Sequence, residues 1–158
     1  MGAHEHAYAV DLEWTGAGAD GTASYAAYSR AHKLGAPGKP PIPGSSDSAF
    51  RGDPARWNPE ELLVASLSAC HMLWYLALCA GHGVRVTAYA DSAEGWMADE
   101  GHAGGQFTRV LLRPRVTLAP GSDEVLARRL HHDAHARCFI ARSVNFPVEH
   151  EPTMEISA

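Results

Sequence analysis

The stretch Asn58-Pro-Glu-Glu-Leu-Leu-Val-Ala-Ser-Leu-Ser-Ala-Cys-His-Met-Leu-Trp-Tyr-Leu-Ala-Leu-Cys-Ala80 decides the fold. It opens as a helix should. Asn58 is a good N-cap, and Pro59 occupies the first helical position, where its missing N–H does no harm. Glu61 stands three residues past the cap, placed to reach back to the Asn58 N–H as a capping box. Helix is expected to run to about Ala80, where Gly81 and Gly83 end it. Two carboxylates at its start, and Ser66, Ser68, Cys70 and His71 within it, make this a buried helix and not a membrane span. It is apolar almost all the way round, so something must cover every side of it. One sheet covers only one side.

Working outward, the flanking sequence reads as strands. Tyr8, Val10, Leu12 and Trp14 alternate with Ala9, Asp11 and Glu13, the period of a half-buried strand. Thr15 to Gly21 is a turn, and Thr22 to Arg30 is expected to return as a second strand. Lys33 to Asp47 carries four prolines and three glycines and reads as a long loop of the kind found at functional sites. Val84 to Ala90, Phe107 to Leu118 and Val144 to Val148 alternate again. A second helix starts near Ser122 or Asp123, with Val125, Leu126, Leu130 and Ala134 on one side. Strands, helix, strands, helix and strand make an α+β arrangement, expected to form one domain over residues 1–158.

The composition narrows the classes of function. The chain has 158 residues, 46% hydrophobic and 20% charged, enough to bury a core without metal or disulfides. A net charge of -5 argues against a nucleic-acid-binding surface, which needs a basic patch. Met1 to Ala19 has no basic start, apolar block and cleavage site in order, so the expected location is cytoplasmic, with no membrane partner. Three cysteines in such a chain do not make a disulfide framework, although they can be redox-active.

Cys70 lies deep in the first helix. Cys79 sits between Leu78 and Ala80 as a core residue would, and nine helical residues separate it from Cys70 by about 13 Å of rise, too far for a bond. Cys138 follows the second helix, beside Arg137. His131, His135 and Cys138 share one helical face at i, i+4 and i+7, a spacing that can supply three zinc ligands. No paired ligand motif exists elsewhere, so the reading is surface histidines and no metal. His71 points about 100° away from Cys70 around the helix and is badly aimed to act as its base.

The block from Phe50-Arg-Gly-Asp-Pro-Ala-Arg-Trp through Asn58-Pro-Glu-Glu-Leu to Cys70 resembles the signature of the OsmC/Ohr family, thiol-dependent peroxidases that reduce organic hydroperoxides. In that family the peroxidatic cysteine lies ten residues beyond the first glutamate, the spacing of Glu60 and Cys70. An upstream arginine matches Arg51, one residue closer to Asn58 than is typical, which keeps Arg56 as a competing candidate. A second cysteine after the second helix matches Ala134 through Cys138 to Arg142, with Phe139 in place of the usual proline. The resemblance implies an OsmC-like fold, with antiparallel sheets packed around a long central helix in an intertwined homodimer. It also implies catalysis by Cys70, Cys138, Arg51 and Glu60 without a cofactor, in which Cys70 attacks and Cys138 resolves as an intramolecular disulfide. Organic hydroperoxides are the implied substrates, and a dithiol such as a lipoyl protein is the implied reductant. Phe50, Trp57, Trp74 and Phe139 are the aromatic residues expected around the substrate.

The chemistry fits those roles. An ordinary thiol is only ~3% ionised at pH 7. Lowering a thiol pKa to ~6 raises the thiolate fraction about 30-fold but weakens each thiolate roughly 13-fold, so the net gain is small. The arginine's larger task is therefore to place the peroxide and stabilise the departing alkoxide with its fixed fork of donors. Glu60 would hold that fork by a bidentate pair. On an unbroken helix, however, Glu60 and Cys70 stand about 15 Å apart, so the site is expected to draw Cys70 from one subunit and Arg51 and Glu60 from the other. Two other functions compete. One is a non-catalytic module that binds small apolar molecules; the other is a cysteine-dependent acyl hydrolase, whose histidine base and oxyanion hole are not evident.

Overall fold

The computed structural model describes residues 2–158. The central helix, α1, spans Pro59–Gly81 without interruption. Its start is the expected capping box: the Glu61 N–H donates to Asn58 Oδ1 at 2.7 Å, and the Asn58 N–H donates to Glu61 Oε2 at 3.2 Å. The second helix, α2, spans Glu124–Arg137, and Asp123 caps it by accepting from the Leu126 N–H at 2.9 Å. Both helices begin where local side-chain chemistry satisfies their free N–H groups.

Chain contacts gather into two units, Met1–Leu62 and Leu63–Ala158. The first contains a three-stranded antiparallel sheet in the order β1 (Asp11–Trp14), β2 (His32–Gly35), β3 (Ile42–Gly44). Three expectations fail here. Thr22 to Arg30 forms turns instead of a strand. Its Arg30 guanidinium lies 4.2 Å from the centre of the Tyr25 ring and 4.1 Å from that of Tyr28, and it donates to the carbonyls of both tyrosines. That local cluster outcompetes a ladder. The supposed loop Lys33 to Asp47 instead contains most of β2 and all of β3, whose Pro43 is tolerated because β3 lies at a sheet edge. The first strand, expected to be half-buried from Tyr8, is limited to Asp11–Trp14 and is exposed along its length.

The second unit has two three-stranded sheets. In one, β4 (Val86–Asp91) pairs antiparallel with β7 (Pro114–Leu118), which pairs parallel with β9 (Thr153–Ile156). In the other, β5 (Glu94–Asp99) pairs antiparallel with β6 (Gly105–Leu112), which pairs parallel with β8 (Val148–His150). The expected strand Phe107 to Leu118 is thus two strands, divided at Arg113, whose N–H donates to Asp91 Oδ1. The expected strand over Val144 to Val148 begins only at Val148. One core joins Tyr75, Leu78 and Cys79 of α1 to Val116 and Leu118 of β7 and to Ala127, Leu130 and Ala134 of α2. A second gathers Leu67, Val110 and Leu112. At Gly95 of β5 a Cβ would lie 2.7 Å from the Phe107 ring and 2.8 Å from Val64 Cγ2, so only glycine lets α1 approach this closely.

The buried residues of α1 are Leu67, His71, Tyr75, Leu78 and Cys79, the spacing of one core-facing stripe. The helix has the length and apolarity of a membrane span, and less than a third of its most apolar part is buried. Much of its apolar surface, Leu73 included, is therefore open in the single chain.

Candidate active site

Of the three thiols, Cys79 and Cys138 are buried and Cys70 alone is partly open to solvent. Cys79 packs in the core beside Tyr75, and burial raises its pKa. Cys138 is the C-cap of α2, with its N–H donating to the His135 carbonyl at 3.2 Å. The turn that follows, Ala141–Ser143, directs the Ala141 N–H at Cys138 Sγ, 3.4 Å away. Burial above all, with the neighbouring Cys70 adding to it, pushes the Cys138 thiol up to about 11 against the lowering effect of that donor. The fold therefore brings Cys70 and Cys138 side by side, although they lie on different helices. At neutral pH Cys138 is a buried neutral thiol, a poor first attacker on a dissolved peroxide. Cys70 is the accessible one.

The flanking aromatics divide between the two units. Trp74, one turn beyond Cys70, meets Phe139, which follows Cys138, edge to face with ring centres 5.5 Å apart. These two form an apolar flank to the thiol pair. Phe50 and Trp57 belong to the N-terminal unit. There Trp57 has a structural task, because its N–H donates to the Pro43 carbonyl at 3.1 Å and its carbonyl accepts from Ser45 at 2.9 Å.

The two candidate arginines are distinguished by their partners. Arg56 faces Asp53 at 3.6 Å and donates to the His32 carbonyl at 3.4 Å. Arg51 is exposed, with its guanidinium in no ion pair among the described residues. It ends a short 3-10 turn, Ser48–Phe50, with φ 63°, the sole non-glycine among the described residues in the left-handed region. Asp47 braces this turn by accepting from the Ala49 N–H with its side chain and from Gly52 with its carbonyl. A Cβ at Gly52 would overlap the Ser46 carbonyl, so the bend requires glycine there. The expected pair between Arg51 and Glu60 is not made within the single chain, where Glu60 Oε2 is buried without a partner.

The three residues of the zinc alternative engage other side chains, and His131 shares the neighbour His150 with His135. His131 bonds His71, His135 faces the His150 ring at 5.8 Å, and Cys138 meets Cys70. The bond between His71 and His131 escapes sequence reasoning because the two are far apart in the chain. Their burial has no local signal either.

The OsmC-like protein family model matches residues 52–153. An OsmC-like protein of unknown function from Vibrio cholerae is similar at 32% identity over 94% of this chain and 100% of that one, with a TM-score of 0.83. An organic hydroperoxide resistance protein from Elizabethkingia anophelis matches at 17% identity over 98% and 100%, with a TM-score of 0.65. One from Legionella pneumophila matches at 15% identity over 96% and 99%, also at 0.65, so these two share the fold. No curated protein matches the chain.

Proposed function

The chain belongs to the OsmC family, and on that premise we propose that it is a peroxidase that reduces organic hydroperoxides to alcohols. The observation that carries this reading is the meeting of an accessible Cys70 with a buried, neutral Cys138. A binding module has no need of a second thiol beside the first. The Cys70 thiolate attacks the outer peroxide oxygen, the O–O bond breaks, and the alkoxide leaves with a proton as alcohol, giving a sulfenic acid on Cys70. The Cys138 sulfur then bonds to the Cys70 sulfur, and its thiol proton leaves with the sulfenic hydroxyl as water. An external dithiol, such as a lipoyl group, reduces the disulfide by two electrons, in keeping with a reducing cytoplasm.

Arg51 acts on the alkoxide. Its free guanidinium and the unpartnered Glu60 oxygen support the roles of fork and holder. Because α1 is unbroken, Glu60 and Cys70 of one chain stand about 15 Å apart along it, so a twofold partner supplies the arginine. The same partner covers the open apolar side of α1, and Phe50 and Trp57 reach the substrate across that boundary with Trp74 and Phe139.

One equivalent of cumene hydroperoxide should remove two free thiols per chain, leave Cys79 free, and be reversed by a dithiol. No thiol loss would favour the apolar binding module, and ester turnover without oxidation would favour the hydrolase.

A further inference from the structure

The second unit buries two ionisable side chains that the thiol chemistry does not use. His71 is 1% exposed and His131 is 0% exposed. His71 Nε2 and His131 Nδ1 are 2.9 Å apart. The rings are nearly parallel, at 6°, with centres 5.2 Å apart, which is the separation of an edge-to-edge hydrogen bond and too wide for face-to-face contact. On its other side His131 stacks on Tyr75, ring centres 3.8 Å apart at 10°. The remaining nitrogens, His71 Nδ1 and His131 Nε2, are buried without partners. They point away from the shared bond, so they do not converge on one ion.

A polar pair with two unmet nitrogens is a poorer core filling than two leucines. What the pair adds is direction. His71 is the residue after Cys70, and His131 lies seven residues before Cys138, two turns along nearly the same face of α2. Aliphatic packing of Leu130 and Ala134 against Tyr75 holds the helices together but does not fix their slide or rotation. A single hydrogen bond with defined atoms does. A disulfide tolerates only a narrow range of Cα separations, about 4.4–6.8 Å, so a small slide of α2 removes Cys138 from reach.

We propose that the His71–His131 hydrogen bond is a clamp that sets the register of α2 on α1, making both histidines positioning residues for formation of the Cys70–Cys138 disulfide. The inference rests on the resolving role proposed for Cys138. Burial supports it by holding both imidazoles neutral, His71 at about 4 and His131 at about 3, which a bond between two uncharged rings requires.

The test is a redox titration of the purified protein in mixtures of oxidised and reduced dithiothreitol, with the Cys70–Cys138 bond measured by mass spectrometry. Because it uses no peroxide, it separates the clamp from the peroxidase reading. His131→Leu should lower the disulfide equilibrium constant at least tenfold, while the rate at which cumene hydroperoxide first oxidises Cys70 changes less than twofold. His131→Asn, whose amide overlies the Nδ1 position, should recover most of the loss. His131→Gln places its amide one carbon too far and should not. That pair of polar variants decides the matter if the leucine variant fails to fold. Leu118→Ala, a truncation within the same aliphatic core that leaves both imidazoles in place, should be less heat-stable but keep the wild-type constant. A wild-type constant in His131→Leu or His131→Gln, or an equal fall in Leu118→Ala, overturns the clamp. A wild-type protein whose Cys70–Cys138 bond forms with oxidised dithiothreitol in the clamp's pattern, but never with peroxide, overturns the peroxidase reading alone.

Discussion

The two units treat the same sequence pattern in opposite ways. Tyr8, Val10 and Leu12 alternate as cleanly as Val110, Leu112, Val116 and Leu118, yet the first three are 88%, 67% and 65% exposed and the other four are at most 1%. Alternation says that one face of a strand is suited to burial. It does not say that the cover lies in the same chain. In the second unit α1 and α2 supply the cover; in the first the apolar face is exposed in the single chain, and the proposed dimer would cover it.

The sharpest break of this contrast is chemical. Cys70→Ser should abolish peroxide consumption, because a hydroxyl is hardly ionised and forms no sulfenic acid. Cys79→Ser should retain turnover, as checked by following loss of cumene hydroperoxide. An essential Cys79 would overturn the proposed pairing of Cys70 with Cys138. Next comes packing: Leu118→Ala should cost about 2–5 kcal/mol in urea unfolding. Leu12→Ala should cost the isolated chain about 0.5 kcal/mol or less and show its main effect as weaker self-association on a sizing column. Equal costs would erase the distinction between the units.

Arg51→Lys keeps the charge but loses the fork, for an expected loss of about 2–4 kcal/mol of transition-state stabilisation, or about 30- to 1000-fold in kcat/KM. Unchanged rates would shift the role to Arg56 or to no arginine.

A further effect is a pH slope confined to the second unit. His71 and His131 have pKa values of about 4 and about 3 when folded, because burial disfavours their charged forms, with His150, His135 and Arg128 adding repulsion. The unfolded chain takes up their protons near 6.5, so their contribution is intact above that pH and is lost as pH falls toward the folded values. Between pH 6.5 and 4.5 each should cost about 2–3 kcal/mol. Urea midpoints should fall over that window, less steeply in His71→Gln. A slope unchanged in that variant would contradict the assignment.

What could be read from sequence was what local chemistry determines. Asn58, Pro59 and Glu61 announce the start of α1 because every group in the cap lies within one turn. Thr22 to Arg30 misleads because its weak alternation is overridden by an arginine between two tyrosines. The Pro-rich segment misleads in the opposite sense, since an edge strand accepts Pro43 where a central one would not. At the site, the spacing of Glu60 and Cys70 and the setting of Cys138 single out these two thiols only through their resemblance to a family. The partners of His71 could not be read, because no local pattern links it to a residue on another helix.

Arg51 sits in a backbone conformation that costs a side-chain-bearing residue about 1–2 kcal/mol, and glycine little. A glycine there would relieve that strain, offset by about 0.5–1 kcal/mol of extra freedom in the unfolded chain. The exchange is near neutral for folding, yet it removes the guanidinium. A screen that rewards heat resistance alone would therefore let this arginine drift away without registering a loss. On the proposed function, only a screen that also demands peroxide consumption would keep it.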